Sequence, residues 1–520
     1  MFGVHSSFAA SQLRTFAMIR LHYYTLNRLI VKDKQNHSAA KKYLLFSVKL
    51  RYTLYKAVLR YSDESNLILN GTNIMSNKPN LLNDDDMQRF ISDGYLTIHA
   101  DFPGAFHRKI YDQATALYDT EGNPGNDLLP RIPALYDVLG HPDVDGALQS
   151  LLGSDYLIHP HRHGHHNLPG SAGQNQHKDS YEADENVRHH HCRWVMGFYY
   201  PQDVDASRGP SAVLPGTQYF SNQDVAHKQT ELPLYGPAGS FTIVHYDLWH
   251  RAMPNAGALP RFMFKFLFCR MAEPSTPAWQ CEGDARQSLD CSPSDPIRKH
   301  QWDWFNGRPS GSARCDQPVD ALLHQYRHGD EADRLKAAYS MGTHGEEGVF
   351  VLMDELRQEA EEKTDLNLQK DHTNPCQFDA AYGLVVAGND AMPTLLEALD
   401  DSEWAVRASA ADILGDMGTL AADTTPQLIK ALNDSSLWVR RNAAEALGIF
   451  GVEAKDAVPA LSIALSDQNA RVRLNAVSAL QRIGPAAETA VDRLRQTLQD
   501  ETYFIRAHAQ IALDRIHVIS

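Results

Sequence analysis

The chain of 520 residues lacks a long apolar run and has few cysteines, only six. A membrane-spanning helix needs about 20 consecutive apolar residues, so we expect no membrane span. The cysteines form no C-x-x-C pair, and the pattern therefore indicates neither a zinc ribbon nor a disulfide framework. Scattered cysteines of this kind are typical of a reducing compartment, which favours a cytoplasmic protein.

The chain also lacks a surplus of basic residues, since its net charge is -15. Binding to phosphates needs a basic face, so we expect no nucleic-acid partner. Residues 1–74 are the exception, with eleven Lys or Arg and three acids. This basic extension is Arg-containing and acid-poor, as mitochondrial targeting segments are. We favour the alternative that it is disordered or absent from the mature fold, which would then begin near Met75.

The C-terminal part of the chain repeats every 33 residues. A pair of a β-branched residue and Arg recurs, with an Asp five residues before it, at Val406, Val439, Val472 and Ile505. Apolar residues between these pairs fall at helical spacing, and Asn433–Ser435 is expected to cap the second helix of its unit. Such periodicity predicts a solenoid. The pattern resembles HEAT repeats, especially the short type of phycobilin-lyase-like proteins, and predicts an all-α solenoid over residues 316–520.

The repeats lack one chemical feature of another HEAT protein. Deoxyhypusine hydroxylase holds two irons with His-Glu pairs, and residues 316–520 contain no such dipeptide. We therefore expect the chemistry to lie elsewhere in the chain. A solenoid offers a long surface to a protein partner, and a stabilising or oligomerising role fits the pattern equally well.

Short strands are expected between about residues 155 and 270. Arg261–Arg270 has phenylalanine at every second position, which is the period of a strand. Ser240–Trp249 and Trp194–Tyr200 are further apolar segments, and Gly-Pro and Pro-Gly pairs mark turns between them. Many short strands with such turns favour a sandwich or barrel such as a jelly roll over residues 75–315.

His177 and Asp179 form a candidate metal motif after a polar loop. Residues two apart on a strand point the same way, so both side chains can bind one metal while Lys178 points to the opposite side. With a second imidazole they make a two-histidine, one-carboxylate set, which leaves coordination positions open. His250, at the end of a predicted strand, is the candidate for that imidazole. Arg261, eleven residues later, can bind a carboxylate through two N–H groups.

Other histidines stand close to this motif in the sequence. They alternate or cluster just before it, at His159, His161, His163, His165 and His166. Histidine-rich stretches can bind metal, although a place at a cavity mouth or in a solvated loop is the simpler interpretation. His163 and His165 remain alternatives to His177.

Residues 80–310 resemble the phytanoyl-CoA dioxygenase family of Fe(II)/2-oxoglutarate oxygenases. The resemblance lies in the segments QHKDS, GPSAVLPGTQYF and WHRAMPNAGALPR. It implies an all-β double-stranded β-helix (jelly-roll or cupin-like) with flanking helices. It also implies His177, Asp179 and His250 as catalytic iron ligands, Arg261 as the 2-oxoglutarate anchor and Trp194 as a residue lining the 2-oxoglutarate site.

The chain departs from the family pattern at three positions. Thr217 and Gln218 replace the usual Ser-His pair, and Ala252 replaces a serine that helps to hold 2-oxoglutarate. Because Asp179 is present rather than Gly or Ala, the resemblance implies hydroxylation and not halogenation. We expect Fe(II), 2-oxoglutarate and O2 to serve in hydroxylating a C–H bond of a small or carrier-bound substrate, with release of succinate and CO2. The alternative is a HEAT scaffold whose oxygenase domain modifies a docked protein partner or is catalytically relict.

Overall fold

The computed structural model describes residues 78–179, 190–281, 295–308, 314–368, 374–376 and 378–517. The extension expected at residues 1–74 lies outside them. Strands and flanking helices come first along the described chain, and helices alone follow from residue 296 onward. No helix of this described part is long and apolar enough to cross a membrane.

The described strands form two antiparallel sheets, as expected for a jelly roll. Their bounds are β1 Tyr95–His99, β2 Leu157–Asn167, β3 Trp194–Tyr199, β4 Ser211–Val213, β5 Leu232–Pro233, β6 Ser240–His245, β7 His250–Ala252 and β8 Arg261–Cys269. One sheet has the order β1-β6-β3-β8-β2 and the other the order β5-β4-β7. Apart from β4 and β5, strands that pair within a sheet are not consecutive along the chain.

Strand β8 separates an apolar core from a polar inner face. All nine of its residues are buried. On the outer side four phenylalanines pack with the flanking helices, at Phe262, Phe264, Phe266 and Phe268. Burying one such ring contributes roughly 2–3 kcal/mol. Met263 and Leu267 pack on the inner side, and strand alternation places Arg261 and Lys265 on that same side.

Helices flank the sheets on the side of the phenylalanine core. The first begins at a capping box, in which the Asn83 side chain accepts from the N–H of Asp86, and ends at Gly94 with a φ of 78°. The flanking helices are Asp84–Asp93, Gly104–Glu121, Leu128–Arg131, Leu135–Leu139, Pro142–Leu152 and Pro296–Phe305, and a short helix, Gln223–Ala226, follows β4.

The predicted solenoid is confirmed as an array of paired helices, short then long in the regular repeats. Its helices are Val319–His328, Glu331–Met341, Glu346–Leu368, Asp379–Ala387, Met392–Ala398, Trp404–Asp416, Thr425–Ala431, Leu437–Phe450, Val458–Ala464, Ala470–Ile483, Val491–Thr497 and Tyr503–His517. One expected cap is corrected. Ser436, not Asn433–Ser435, caps its helix by accepting from the N–H of Trp438, because Asp434 is used in another contact.

An arginine–aspartate contact between successive repeats explains the 33-residue period. The Arg440 guanidinium donates to Asp467 of the next repeat at 2.8 Å and to the carbonyl of Asp434 in its own repeat at 2.9 Å. Arg407 is bonded in the same way to Asp434, and Arg473 to Asp500. Each arginine therefore joins the turn of its own repeat to the turn of the next one.

The array packs on the sheets through buried charged and polar groups. Arg193, just before β3, donates to Glu273 and to Asp416 at the end of an array helix. Burial lowers the pKa of Arg193, but the two carboxylates outweigh burial and raise it. At the far end of the array, His508 Nε2 lies 3.0 Å from Nε2 of His159 on β2. The array therefore packs directly against the sheets at both of these places.

Replacing Arg440 by Ala should destabilise the protein by about 2 kcal/mol, because hydrogen bonds to partly buried charged groups are lost at one repeat junction. Thermal and urea unfolding of the full chain measure the loss. Lys430→Ala is the matched control, since Lys430 forms an exposed ion pair with Asp400 in the same array. Equal unfolding midpoints for both variants would contradict the role given to the arginine.

Candidate metal centre

His177, Asp179 and His250 come together from two segments of the chain. His177 and His250 are bridge partners, and the N–H of each donates to the carbonyl of the other at 2.9 and 3.0 Å. Their Nε2 atoms lie 3.8 and 3.7 Å from the carboxylate oxygens of Asp179. Within the part of the chain that the structure describes, these residues form the group whose donor atoms lie within 4.8 Å of one another. One metal ion can fill such a space.

Backbone carbonyls orient both imidazoles toward the shared point. His177 Nδ1 lies 2.8 Å from the carbonyl of Asn175, and His250 Nδ1 lies 2.9 Å from the carbonyl of Leu248. With Nδ1 as the donor, each Nε2 keeps its lone pair for a metal, as metal-binding histidines require. Burial lowers the pKa of His250 to about 4, so this ring is neutral near pH 7.

Asp179 is a buried carboxylate whose charge is compensated by Lys265. The Lys265 ammonium donates to Asp179 Oδ2 at 2.6 Å, and both side chains are less than 5% exposed. Burial alone would raise the pKa of Asp179, but Lys265 and the two imidazoles hold it well below its usual range. The carboxylate is therefore ionised and held in place by strand β8. Sequence reasoning missed Lys265, although its spacing from Arg261 already placed both on one strand face.

Arg261 is fully buried on the same face of β8 and incompletely bonded. Its Nε donates to the carbonyl of Gly209 at 2.9 Å, but neither Nη1 nor Nη2 has a hydrogen-bond partner among the described residues. Burial lowers the pKa of Arg261. Each unmade bond of a buried donor costs about 1–3 kcal/mol. Two free donors in a guanidinium match the two oxygens of a carboxylate.

Gly209 permits this arrangement. Its φ is 63°, and a Cβ there would lie 2.5 Å from Nδ2 of Asn167. Glycine alone combines this left-handed conformation with the close approach. The carbonyl that receives Arg261 is therefore positioned by the polar turn between the two halves of the metal motif.

The five histidines just before the motif in the sequence are all described, and none of them joins the group. His163 stands opposite Lys265 and His165 opposite Met263, so both share the inner face. Burial lowers the pKa of each ring. His159 contacts the array instead, through His508. The structure thus brings His177, and neither of its two alternatives, to Asp179 and His250.

The structure does not bring Trp194 to Arg261. Trp194 stands opposite Cys269, at the end of β8 that is remote from Arg261. At 3.4 Å per residue, the two ends of the strand are roughly 27 Å apart. Its ring packs edge-on against His159, 5.1 Å away. The expectation that Trp194 lines the same site as Arg261 is corrected, because the pairing register of β3 with β8 places it on the array side.

The departures from the family pattern have structural roles here. Thr217 Oγ1 donates to the carbonyl of Leu214 at 2.6 Å and accepts from the N–H of Trp249. Gln218 Nε2 donates to the carbonyl of Ile91 at 2.9 Å. Both residues therefore hold the turn next to the metal group. Ala252 pairs with Ser211 between β7 and β4 and brings no hydroxyl to the site.

Residues 104–263 match the phytanoyl-CoA dioxygenase (PhyH) family, and residues 392–462 and 425–514 match HEAT repeats. No curated protein matches the chain. Among solved structures it is similar to the non-haem α-ketoglutarate-dependent epimerase SnoN from nogalamycin biosynthesis, with 15% identity and a TM-score of 0.31 over 36% of this chain and 83% of that one. EctD from S. alaskensis, solved with 2-oxoglutarate and 5-hydroxyectoine, gives 14% identity and a TM-score of 0.33 over 39% and 79%. Because both TM-scores are low, the family matches and the geometry of the metal group are the guides to the function of this chain.

Replacing Lys265 by Met should destabilise the metal-free protein by roughly 3–5 kcal/mol, because Asp179 would be left buried without its counter-charge. Added Co(II) should recover part of that loss, since the ion replaces the missing positive charge. Thermal unfolding with and without Co(II) measures both effects. Lys109→Met, at an exposed helical position, is the control. Equal stability of Lys265→Met and the wild type without metal would contradict this role.

Proposed function

We propose that this chain, which carries a phytanoyl-CoA dioxygenase domain followed by HEAT repeats, is an Fe(II)- and 2-oxoglutarate-dependent oxygenase that hydroxylates a substrate C–H bond. One observation carries the proposal. A group of two imidazoles and one carboxylate shares the inner face of the sheets with a buried guanidinium that has two unbonded donors. A metal alone would not need that guanidinium, whereas a metal with a dicarboxylic co-substrate does.

Each residue has a defined task in this proposal. His177, Asp179 and His250 would hold Fe(II) and leave positions open for two further ligands. Arg261 would bind the distal carboxylate of 2-oxoglutarate through Nη1 and Nη2 and so fix its orientation. Bound iron with 2-oxoglutarate and O2 supplies the oxidation of a C–H bond, with release of succinate and CO2. Because Asp179 occupies its position as a carboxylate, hydroxylation is the outcome that we propose.

Apolar residues among the polar ones of the inner face support a substrate position next to the metal group. The Phe198 ring lies 5.7 Å from the His250 ring. Phe198, Met196 and Met263 belong to one buried cluster. His177, in contrast, is about one third exposed. A substrate can therefore approach from the side of His177 while Phe198 limits the water near the site. We propose a small or carrier-bound substrate.

Anaerobic addition of Fe(II) and 2-oxoglutarate should produce a weak visible charge-transfer band, since the co-substrate would chelate the iron. Asp179→Ala should abolish the band, because one ligand and its charge are lost. Asp203→Ala, at an exposed loop position, should retain it. Absorption spectroscopy under argon makes the measurement. If the wild-type protein gives no band and no succinate, the proposed function is wrong.

Arg261→Met should lower the affinity for 2-oxoglutarate about 100-fold, because two charge-assisted hydrogen bonds disappear. Metal affinity should change little, since Arg261 is not a ligand. Titration of the charge-transfer band with 2-oxoglutarate gives the dissociation constant. Arg131→Met is the control, because Arg131 forms a surface pair with Glu121. Unchanged 2-oxoglutarate affinity in Arg261→Met would show that the anion site lies elsewhere.

A further inference from the structure

A short turn, residues 217–222, lies between the helical array and the candidate metal centre. We refer to it as the bridging loop. It follows β4 and precedes the helix Gln223–Ala226. One side contacts the first helices of the array, and the other contacts residues next to the three candidate ligands. No resemblance to the oxygenase family predicts this connection, because the array is not part of that domain.

Glu331 holds the bridging loop from the array side. It is the first residue of the helix Glu331–Met341. Its carboxylate accepts from the N–H of Ser221 at 2.7 Å and from the N–H of Asn222 at 2.8 Å, one bond to each oxygen. Glu331 is buried, with 6% of its surface exposed. Burial, helped by the nearby Asp379 charge, raises the pKa of Glu331 above its usual value, although the two backbone N–H groups and the Lys178 charge oppose the rise.

The bridging loop contacts the metal motif at two points. The indole N–H of Trp249 donates to the carbonyl of Phe220 at 3.0 Å, and Trp249 directly precedes His250. Lys178, which stands between His177 and Asp179, donates to the carbonyl of Gln218 at 3.4 Å. The Lys178 ammonium also lies 6.0 Å from the Trp249 ring. The loop therefore contacts a chain neighbour of every candidate ligand.

We propose that Glu331 is a positioning residue, through which the HEAT array fixes the bridging loop and thereby the coordination geometry of the metal centre. The array is then a component of the oxygenase site as well as a surface that partners can use. The inference rests on the proposed metal site. It assigns a function to a residue of the array that contacts neither metal nor co-substrate.

Bond geometry explains why a carboxylate is needed at this position. Two adjacent backbone N–H groups point to the same place, and each takes one oxygen of Glu331. A glutamine has nearly the same shape but only one acceptor oxygen, so one of the two partly buried hydrogen bonds would be lost. The turn would then relax, and Trp249 and Lys178 would follow it. Replacing residues that hold metal ligands in place commonly lowers metal affinity severalfold or more.

The experiment uses the full chain with Co(II) as the probe, whose visible absorption reports coordination geometry. The variants are Glu331→Gln, Trp249→Phe and the double variant. Lys228→Ala is the matched control, because Lys228 forms an exposed ion pair with Asp330, the neighbour of Glu331, across the same junction. Co(II) titration gives affinities, and thermal unfolding reports stability separately. Glu331→Asp keeps the charge with a shorter side chain and serves if Glu331→Gln does not fold.

We expect Glu331→Gln and Trp249→Phe each to weaken Co(II) binding about five- to tenfold and to change its absorption spectrum. The double variant should lose less than the product of the two effects, because both act through one loop. Lys228→Ala should bind Co(II) like the wild type. Wild-type affinity and spectrum in Glu331→Gln, or fully multiplicative effects in the double variant, would overturn the inference. If the wild type itself binds no Co(II), the metal site on which the proposed function depends is wrong.

Discussion

A carboxylate that is buried away from water stays ionised only if nearby charges compensate it. Asp179 is buried in this way between the two sheets. Isolated, it would take up a proton or destabilise the fold. The Lys265 ammonium, at 2.6 Å, keeps it ionised, and Lys265 can reach it because β8 is buried on both faces. The phenylalanine core behind β8 therefore does more than stabilise the fold. It fixes the strand from which Lys265 and Arg261 face the candidate metal group.

The sequence predicts those features of the fold and site that arise from local pattern. Period two in β8, the spacing of His177 and Asp179, and the 33-residue repeat all reflect local geometry, and the structure contains each of them. Lys265 was missed because the alternating phenylalanines defined one strand face and only Arg261 was considered on the other. Trp194 was misplaced because its surroundings depend on the register between β3 and β8, a long-range pairing that no local pattern specifies.

Contacts between the array and the sheets are a second group that sequence could not predict. The carboxylate of Asp416 meets Arg193 across more than two hundred residues of chain, and Glu331 meets the bridging loop across more than one hundred. Both contacts combine buried charges with specific hydrogen bonds, so they fix one arrangement of the two parts more strictly than apolar packing would. The sequence left open whether the array binds a protein partner, stabilises the fold or mediates oligomerisation, and it predicted no contact between the array and the sheets. The buried polar junction makes it part of the same folding unit.

The arginine–aspartate connections between repeats are identical from one unit to the next, and a solenoid built this way can in principle gain or lose units. Here both ends of the array contact the domain that contains the sheets, through the bridging loop at Glu331 near its start and through β2 at His508 near its end. Inserting one repeat would move the last helix away from β2 by about the spacing of packed helices, roughly 10 Å. The number of repeats is therefore constrained by the oxygenase domain, and lineages that keep this junction should keep the repeat count even where the repeat sequences diverge.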